Sequence, residues 1–453
     1  MLKLKEWPDN KLLIFSVLTC SLLYVLIGYN LNRNNFPYLF VLFSALFLFY
    51  FYFISLNQKS SNSNFFFKTG IFFRLLFLFS IPNLSQDFYR FIWDGRMLIN
   101  GLSPYLYLPD EIIKNKLINI PQAVLLHNGM GSLSSGHYTN YPPVNQLCFA
   151  LAAFGSGKSI FGSVFILRIL IIVFDLGIYK YGRKLLHSLK IPENNIFFYF
   201  LNPLVIIELT GNLHFEGAMI FFLVLALYQL QIGKYLWAAV LITLSVSMKL
   251  IPLMLLPLFI KYLGIKKAII FFTIIGVLSL TLFLPFFSIT FFNNYMATVA
   301  LWFINFEFNA SIYYLIRSIG YNLVGYNIIH ITGHIIPVIL IFLIFFISFK
   351  KQDNSLKNLL TNMLIVLSIY FFLSTTIHPW YIISLVILSV FTNWKFPLVW
   401  SFTIILSYFA YSDPVFKENN LILILEYVIV YGCLIVELLT KKLYEPAFNP
   451  NHI

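Results

Sequence analysis

Long apolar runs separated by short polar turns recur along this chain from one end to the other. Apolar runs of about 18 residues or more are typical of helices that cross a bilayer core of about 30 Å. The pattern predicts spans at 12–29, 36–56, 65–82, 160–182, 196–210, 215–231, 235–250, 251–262, 268–287, 328–349, 358–376, 379–391, 396–411 and 421–440. We therefore predict an all-α polytopic transmembrane bundle of about 11 to 14 helices, with residues 1–453 forming a single integral membrane domain.

Some of these runs are short for a straight crossing, notably 251–262 and 379–391. Half-length or proline-interrupted apolar segments are typical of backbone that lines a cavity inside the protein rather than lipid. The apolar piece from Val144 to Phe154 is also short, and a crossing there would place the basic stretch 180–190 on the outer side. We predict that this piece lies half-inserted or at the membrane interface.

The main polar interruption covers about 83–158 and begins with QDFYRFIWDGRMLINGLSPYLYLP, residues 86–109. At about 100° per residue, Asp87, Arg90 and Asp94 fall on one face of a predicted helix, and Ser85 is in position to cap it. Two carboxylates and a guanidinium on one face stand out in a chain that is otherwise mostly hydrocarbon. The alternative is an interfacial helix whose charges are only solvated.

Composition places the chain among membrane proteins, because 60% of its residues are hydrophobic, 10% are charged, and the mean hydropathy is +0.83. A soluble globular protein carries about 25% charged residues. The net charge of +13 comes from basic residues scattered over short loops, which does not indicate nucleic-acid binding. With the N-terminus inside, 19 basic residues fall in inner segments and 8 in outer ones, so the positive-inside rule predicts this orientation and places 83–158 outside.

Ionisable residues at membrane depth are costly, and they are therefore candidates for function. Glu208, His214 and Glu216 surround a predicted outer turn between two spans. His214 and Glu216 alone are too few ligands to indicate a metal site, and a hydrogen-bonded end of a helix hairpin is the alternative. Three ionisable residues inside spans, which we expect to pair within the bundle, are Arg74, Arg168 and Asp175.

Two further polar positions lie at outer turns or breaks. Lys249 lies at a proline break between apolar segments, where it either extends to the surface or pairs with an anion such as a lipid phosphate. His378 is able to donate to a phosphate, and the nearby Trp380 either stacks on a sugar or belongs to the interfacial aromatic belt.

These residues favour transfer of a group from a lipid phosphate at the outer face. A polyprenyl phosphate is a good leaving group, so one carboxylate acting as general base and cationic groups holding the phosphate would suffice. Either Asp87 or Asp94 supplies the base, and attack opposite the departing phosphate would invert the anomeric centre. The candidates for holding the phosphate are Lys249, His378, His214 and Arg90.

The order of several short motifs over about 80–390 resembles the membrane glycosyltransferase C superfamily, most closely its bacterial alpha-1,6-mannosyltransferases that depend on polyprenyl phosphomannose. The motifs are Asp87-x-Tyr89, Asp94-Gly95-Arg96, Gly101-x-x-Pro104-Tyr105, Tyr141-Pro142-Pro143, Asn202-Pro203-Leu204 with Glu208 and His214, Met248-Lys249-Leu250-Ile251-Pro252, and His378-Pro379-Trp380-Tyr381. The chain differs from relatives in lacking an Asp-x-Asp pair. It also has His214-Phe215-Glu216 where relatives often have His-Asn-Asp.

The resemblance implies a glycosyltransferase that moves a hexose, with mannose favoured, from a polyprenyl-phosphate donor to a lipid-linked or envelope glycan acceptor. The reaction is expected at the outer face of a bacterial inner membrane. By position the base is Asp87, with Asp94 as second choice. The residues expected to bind substrate are Arg90, Arg96, Tyr105, His214, Glu216, Lys249, His378, Trp380 and Tyr381. No cofactor, metal or nucleic acid is predicted, and a role for a divalent cation is left open.

Two other classes of function are consistent with parts of the pattern. A lipid-linked glycan flippase or polytopic transporter also needs intramembrane charges, broken helices and a cavity. Such a transporter keeps its polar residues along a path through the midplane, whereas here they gather at outer ends beside a large outer loop. The third class is a structural subunit of an envelope assembly complex, in which the acidic loop binds a partner protein.

Overall fold

The computed structural model of the protein describes residues 10–59, 62–115, 119–350, 353–413 and 415–444, and this part of the chain is helical nearly throughout. In chain order the α-helices are Asn10–Tyr29 (α1), Phe36–Lys59 (α2), Ser63–Leu75 (α3), Asp87–Ile99 (α4), Pro109–Asn115 (α5), Ala123–Ser135 (α6), Pro143–Ser156 (α7), Ile160–Ser188 (α8), Phe197–Phe200 (α9), Pro203–Val205 (α10), Glu216–Gln231 (α11), Tyr235–Met248 (α12), Leu258–Leu263 (α13), Ile265–Phe283 (α14), Ile289–Ile304 (α15), Ile312–Val324 (α16), Ile329–Phe349 (α17), Leu356–Leu373 (α18), Ile383–Phe391 (α19), Phe396–Thr403 (α20) and Asn420–Tyr444 (α21).

Tighter or wider helical turns connect several of these helices. The 3₁₀ segments are Glu193–Ile196, Ile251–Leu255, Leu284–Phe286, Pro379–Ile382 and Ile404–Ser412, and a π-helical turn covers Ile206–Gly211. The described residues contain no β-strand, only an isolated parallel bridge between Phe308 and Thr376. The predicted all-α polytopic bundle is confirmed.

Seven helices in the described residues are long and apolar enough to cross a membrane, and eight segments qualify if one bent pair counts as a single span. The seven are α1, α2, α8, α14, α17, α18 and α21. The bent pair is Pro203–Gly211 with Glu216–Gln231, between which the chain bends by 115°. The count is below the 11 to 14 helices predicted because other apolar runs fold as shorter helices, for example 235–248 and 379–391.

The outer loop predicted at 83–158 folds as four helices, α4 to α7. Helix α4 begins at Asp87, and the preceding Gln86 makes no side-chain capping bond. The cap position falls on Gln86, one residue after the predicted Ser85, but Ser85 Oγ accepts the backbone N–H of Asp87 at 3.3 Å at the start of the helix. The helix ends before Gly101, whose φ of +75° suits a residue without a Cβ.

An ion pair in the bundle interior joins α3 to α8. Arg74 Nε lies 2.5 Å from Asp175 Oδ2, and both side chains are fully buried. Tyr199 donates its hydroxyl to the other Asp175 oxygen, and Arg74 also donates to the carbonyls of Gly70 and Phe200. A buried charge pair is tolerated when hydrogen bonds satisfy its remaining atoms. The predicted pairing within the bundle is confirmed for Arg74 and Asp175.

Helices α4 and α7 approach each other closely at Gly95. A Cβ built on Gly95 would lie 2.2 Å from the carbonyl oxygen of Phe149 and 3.2 Å from the Cβ of Ala153. Small residues allow such backbone approach between helices. The close contact fixes the helix that carries Asp87 against the rest of the segment 83–158.

We expect Gly95→Ala to lower the free energy of unfolding by about 1 to 3 kcal/mol, because the new methyl group forces α4 away from α7. Thermal unfolding of the detergent-solubilised chain measures this effect. Gly276→Ala in α14 is the matched control, since a Cβ there meets nothing within 4 Å. Alanine is the better helix former, so the control is expected to be neutral or slightly stabilising. Equal stability of the two variants would contradict the close contact.

Candidate active site

The site is built around the break between Gly211 and Glu216, where one apolar segment turns through 115°. The arm before the break ends in the π-helical turn Ile206–Gly211, a geometry frequent at functional sites. Leu213 has a φ of +64°, a costly conformation for a bulky residue. This backbone directs the following His214 into the protein interior, where its side chain is only 1% exposed.

Arg168 of α8 satisfies the backbone carbonyls that the break releases. Its Nε donates to Thr210 O at 2.8 Å and its Nη2 to Gly211 O at 3.2 Å. Its Nη1 donates to Ser80 O at 2.6 Å and Leu78 O at 3.2 Å. The predicted pairing of Arg168 within the bundle is with backbone carbonyl oxygens rather than with a carboxylate. Arg168 thereby joins the broken segment to the turn that leads into α4.

A carboxylate, an imidazole and a second carboxylate lie in series at the break. Asp87 Oδ2 is 3.9 Å from His214 Nδ1, and His214 Nε2 is 3.4 Å from Glu208 Oε2. Glu208 is fully buried and accepts from the Tyr408 hydroxyl at 2.7 Å and from Asn212 Nδ2 at 3.1 Å. The series runs from the buried carboxylate of Glu208 at one end to Asp87 at the other, and the Asp87 side chain is 35% exposed.

Two histidines and a tryptophan stack beside this series. The His214 and Trp380 rings have centroids 3.7 Å apart at 18°, and those of His378 and Trp380 are 4.5 Å apart at 4°. Tyr381 meets the ring edges of both His378 and Trp380 at about right angles. Trp380 is only 9% exposed, so it does not lie in a lipid-facing aromatic belt. The structure thus brings together three of the predicted outer-turn residues and His214.

The segment 305–311 is tied to the chain that carries His378. Phe308 N–H donates to Thr375 O, and Ile377 N–H donates to Phe308 O at 2.8 Å. Asn309, with a φ of +49°, donates its backbone N–H to Glu418 and its side-chain amide to Glu426. These bonds hold the Phe308 ring 5.1 Å from that of His378.

Lys249 and Glu216 form an ion pair beside Asp87. Lys249 Nζ donates to Glu216 Oε1, with Glu216 fully buried and Lys249 18% exposed. Lys249 is the first extended residue after α12, and Pro252 follows in a 3₁₀ turn. The break in the helix therefore places the ammonium at the end of α12, and both its charge and that of Glu216 act on Asp87.

The pKa of Asp87 is raised from its ordinary value of 3.8 to about 6, chiefly because burial disfavours the charged carboxylate. Glu216 raises the pKa further, whereas Lys249 and Arg33 oppose the shift. Arg33 Nη2 also donates to Gln86 Oε1 at 3.2 Å, beside the start of α4. Asp87 is thus a partly exposed carboxyl group whose pKa lies closer to neutral pH than that of an ordinary aspartate.

Arg90 and Asp94, also predicted as site residues, pair with each other instead. Arg90 Nε lies 2.7 Å from Asp94 Oδ1, and Gln146 Nε2 donates to Asp94 Oδ2 at 3.0 Å. The Arg90 guanidinium also donates to the carbonyls of Ser134 and His137. Asp94 is fully buried, so the structure encloses this acid in protein contacts and leaves Asp87 accessible.

Arg96 and Tyr105, also predicted as site residues, lie within the packing of the segment 83–158. Arg96 is fully buried and donates to the carbonyls of Pro121 and Lys158. Tyr105 is likewise buried, donates its hydroxyl to Tyr141 O at 2.7 Å, and packs against aromatic rings of α15. Among the described residues, their hydrogen bonds and ring contacts are with groups such as these and not with Asp87 or His214.

Several residues of the site were not among those predicted to act on substrate. Glu208 was noted as a candidate but received no role, although it ends the series through His214. Arg33 lies in the turn between α1 and α2, and Tyr408 lies in the 3₁₀ segment Ile404–Ser412, both far from Asp87 and Glu208 in the sequence. Arg33 also lies over the Tyr411 ring at 4.7 Å. An arginine in a short loop and a tyrosine in an apolar run carry no local signal of such contacts.

Among the described residues, no group of three or more histidine, cysteine, aspartate or glutamate side chains is arranged to hold a metal ion. The residues that meet at the break instead offer one accessible carboxylate, one ammonium and two imidazoles. Such a set is able to move a proton and to stabilise an anion.

Fold and site together define a multi-pass membrane protein with a polar cluster at a broken apolar segment. Comparison with known proteins gives the family. A family model of the MptA_B family, described as alpha-(1->6)-mannopyranosyltransferase, N-terminal domain, matches residues 25–264. The chain therefore belongs to this family and is a glycosyltransferase. No curated protein and no solved structure matches it. The matched range includes Asp87, Glu208, His214, Glu216 and Lys249.

Proposed function

We propose that this protein transfers mannose from a polyprenyl-phosphate donor to the 6-hydroxyl of a lipid-linked or envelope glycan, with Asp87 as general base. One observation carries the proposal: Asp87 is partly exposed beside His214, whereas Asp94 is buried in an ion pair with Arg90. The family description supports both the sugar and an α-1,6 linkage.

In the proposed reaction the Asp87 carboxylate takes the proton of the acceptor hydroxyl as its oxygen attacks the anomeric carbon of the donor. The bond from that carbon to the phosphate oxygen breaks, and the lipid phosphate leaves with the bonding electrons. Direct displacement inverts the anomeric centre. An α product then requires a β-linked mannosyl phosphate donor.

The leaving phosphate needs a cation that is held in place before reaction. Lys249 is the candidate, because Glu216 fixes the ammonium and its charge acts on Asp87. His378 supplies a second polar group, since its Nδ1 is buried and has no hydrogen-bond partner among the described residues. Trp380 stacks on both histidines and so holds their rings in position.

The close packing of α4 at Gly95 and the carbonyl contacts of Arg168 support a role for these contacts in positioning Asp87 and His214. His214 lies between Asp87 and Glu208, where it is able to orient the base. We place the reaction at the outer face of a bacterial inner membrane, since the distribution of basic residues puts the loop carrying Asp87 outside. Neither a cofactor nor a metal is part of the proposed scheme.

We expect Asp87→Asn to lower mannosyl transfer in proteoliposomes by about 10² to 10⁴-fold, the usual contribution of a general base. Asp94→Asn is the matched control. It leaves Arg90 without its carboxylate partner and so is expected to reduce the amount of folded protein, while activity per folded molecule is largely kept. The opposite ranking of the two variants would make Asp94 the base. Passage of donor lipid across the bilayer without any glycoside formed would favour a flippase.

Transfer is expected to rise with pH through about pH 6 and to level off above about pH 7, because only the ionised Asp87 accepts a proton. Because the pKa of Asp87 is raised, the rate is expected to increase about two pH units higher than it would with an ordinary aspartate as base. The dependence of kcat/KM on pH at fixed donor concentration measures this increase. A rate that is constant from about pH 4.5 to about pH 8 would contradict the role of Asp87.

Lys249→Met is expected to raise the KM for the donor about 10- to 100-fold, because a charge-assisted contact to the phosphate is lost. The variant also leaves Glu216 without its partner, so the double variant Lys249→Met/Glu216→Gln is the control. If Lys249 binds phosphate, the double variant keeps the high KM. Recovery of donor affinity in the double variant would show that Lys249 serves only to neutralise Glu216.

A further inference from the structure

A second polar site lies along one face of α8, away from the cluster at Asp87. It is a cavity of about 820 Å³ bordered by α3, α8, α11 and the 3₁₀ turn at Glu193–Ile196. The residues that α8 contributes are spaced as one helical face: Leu176, Tyr179, Lys180, Arg183, Lys184, His187 and Ser188. Phe67, Tyr228 and Ile232 supply apolar and aromatic walls from the neighbouring helices.

This cavity is strongly cationic. Arg183 is paired with Glu193, whose carboxylate also contacts His187 at 3.0 Å. Lys180 and Lys184 form no ion pair with any carboxylate of the described residues, and both are exposed. Their ammonium groups lie over the Tyr181 ring at 5.6 and 5.4 Å. One carboxylate therefore opposes three permanent positive charges, which favours an anionic ligand.

The cavity lies at the opposite end of α8 from the candidate active site. Arg168 contacts the broken segment and the turn before α4, and Arg183 follows it by 15 positions. At about 1.5 Å per residue, the two guanidinium-bearing positions are about 22 Å apart along the helix. The ligand of this cavity is therefore not the sugar or phosphate that reacts at Asp87.

We propose that the cavity binds the phosphate-bearing headgroup of an anionic phospholipid. The headgroup phosphate meets Lys180, Lys184 and the Arg183 guanidinium, while the acyl chains follow the apolar walls at Phe67 and Ile232. A basic pocket between membrane helices, with apolar sides and a cationic rim, matches this chemistry. The basic stretch 180–190 also belongs to the face that the positive-inside rule places on the cytoplasmic side, where anionic lipids attract lysine.

The test is retention of lipid by the purified full chain in a neutral detergent. Native mass spectrometry counts bound phosphatidylglycerol and phosphatidylcholine in the unaltered chain and in Lys180→Gln/Lys184→Gln. We expect phosphatidylglycerol to bind preferentially, and the double variant to bind it about 30-fold more weakly. The matched control Lys266→Gln/Lys267→Gln removes the same charge at the start of α14, outside the cavity, and is expected to bind as the unaltered chain does.

A second arm distinguishes lipid from free phosphate. Phosphatidylglycerol is expected to raise the thermal unfolding midpoint of the unaltered chain, whereas inorganic phosphate at the same concentration is not. Equal protection by inorganic phosphate, or an equal loss of lipid in both double variants, would overturn the proposal. Asp87→Asn is expected to bind phosphatidylglycerol normally, so failure of this site and failure of the proposed reaction give different results.

Discussion

Backbone carbonyls released inside a membrane protein must find hydrogen-bond donors within the protein, and the candidate site depends on how this constraint is met. The segment that breaks at Gly211 frees carbonyls that water does not reach. Arg168 donates to Thr210 and Gly211 and, with the same guanidinium, to the turn at Leu78 and Ser80. One arginine therefore both stabilises the break and joins it to the chain that enters α4. These hydrogen bonds thus link the segment that carries His214 to the chain that carries Asp87.

The charged residues of this fold differ in how deeply they are buried, and their roles differ accordingly. Arg74 with Asp175 and Arg90 with Asp94 are buried pairs, and each pair makes further hydrogen bonds to neighbouring protein groups. Such pairs hold helices in register, since separating either partner leaves an uncompensated buried charge. Asp87 has no comparable partner within hydrogen-bond distance among the described residues and keeps about a third of its side chain exposed. A carboxylate in that setting retains the freedom to exchange a proton.

In the second half of the chain, hydrogen bonds of the backbone at Phe308 and Asn309 hold the segment that carries His378 in place. The bonds between Phe308 and the segment at Thr375 to Ile377 hold His378 beside Trp380, and Asn309 fastens this segment to Glu418 and Glu426 near α21. Trp380 then stacks on His214 from the broken segment. The two histidines come from positions more than 160 residues apart, so only the packing of the bundle determines their separation.

The helical fold and most of the candidate polar residues follow from two features of the sequence, the apolar runs and the scarcity of charge. They predicted the helical bundle, the outer loop with a helix starting near Asp87, and the importance of Glu208, His214, Lys249 and His378 as polar groups in hydrocarbon. Helical spacing is a local property, and it placed Asp87 and Asp94 on one face without distinguishing them. Tertiary structure separated the two acids, because Gln146 and Arg90 enclose Asp94 while the broken segment lies beside Asp87. The carbonyl-binding role of Arg168 was likewise decided only in three dimensions, since a released backbone group leaves no mark in the sequence.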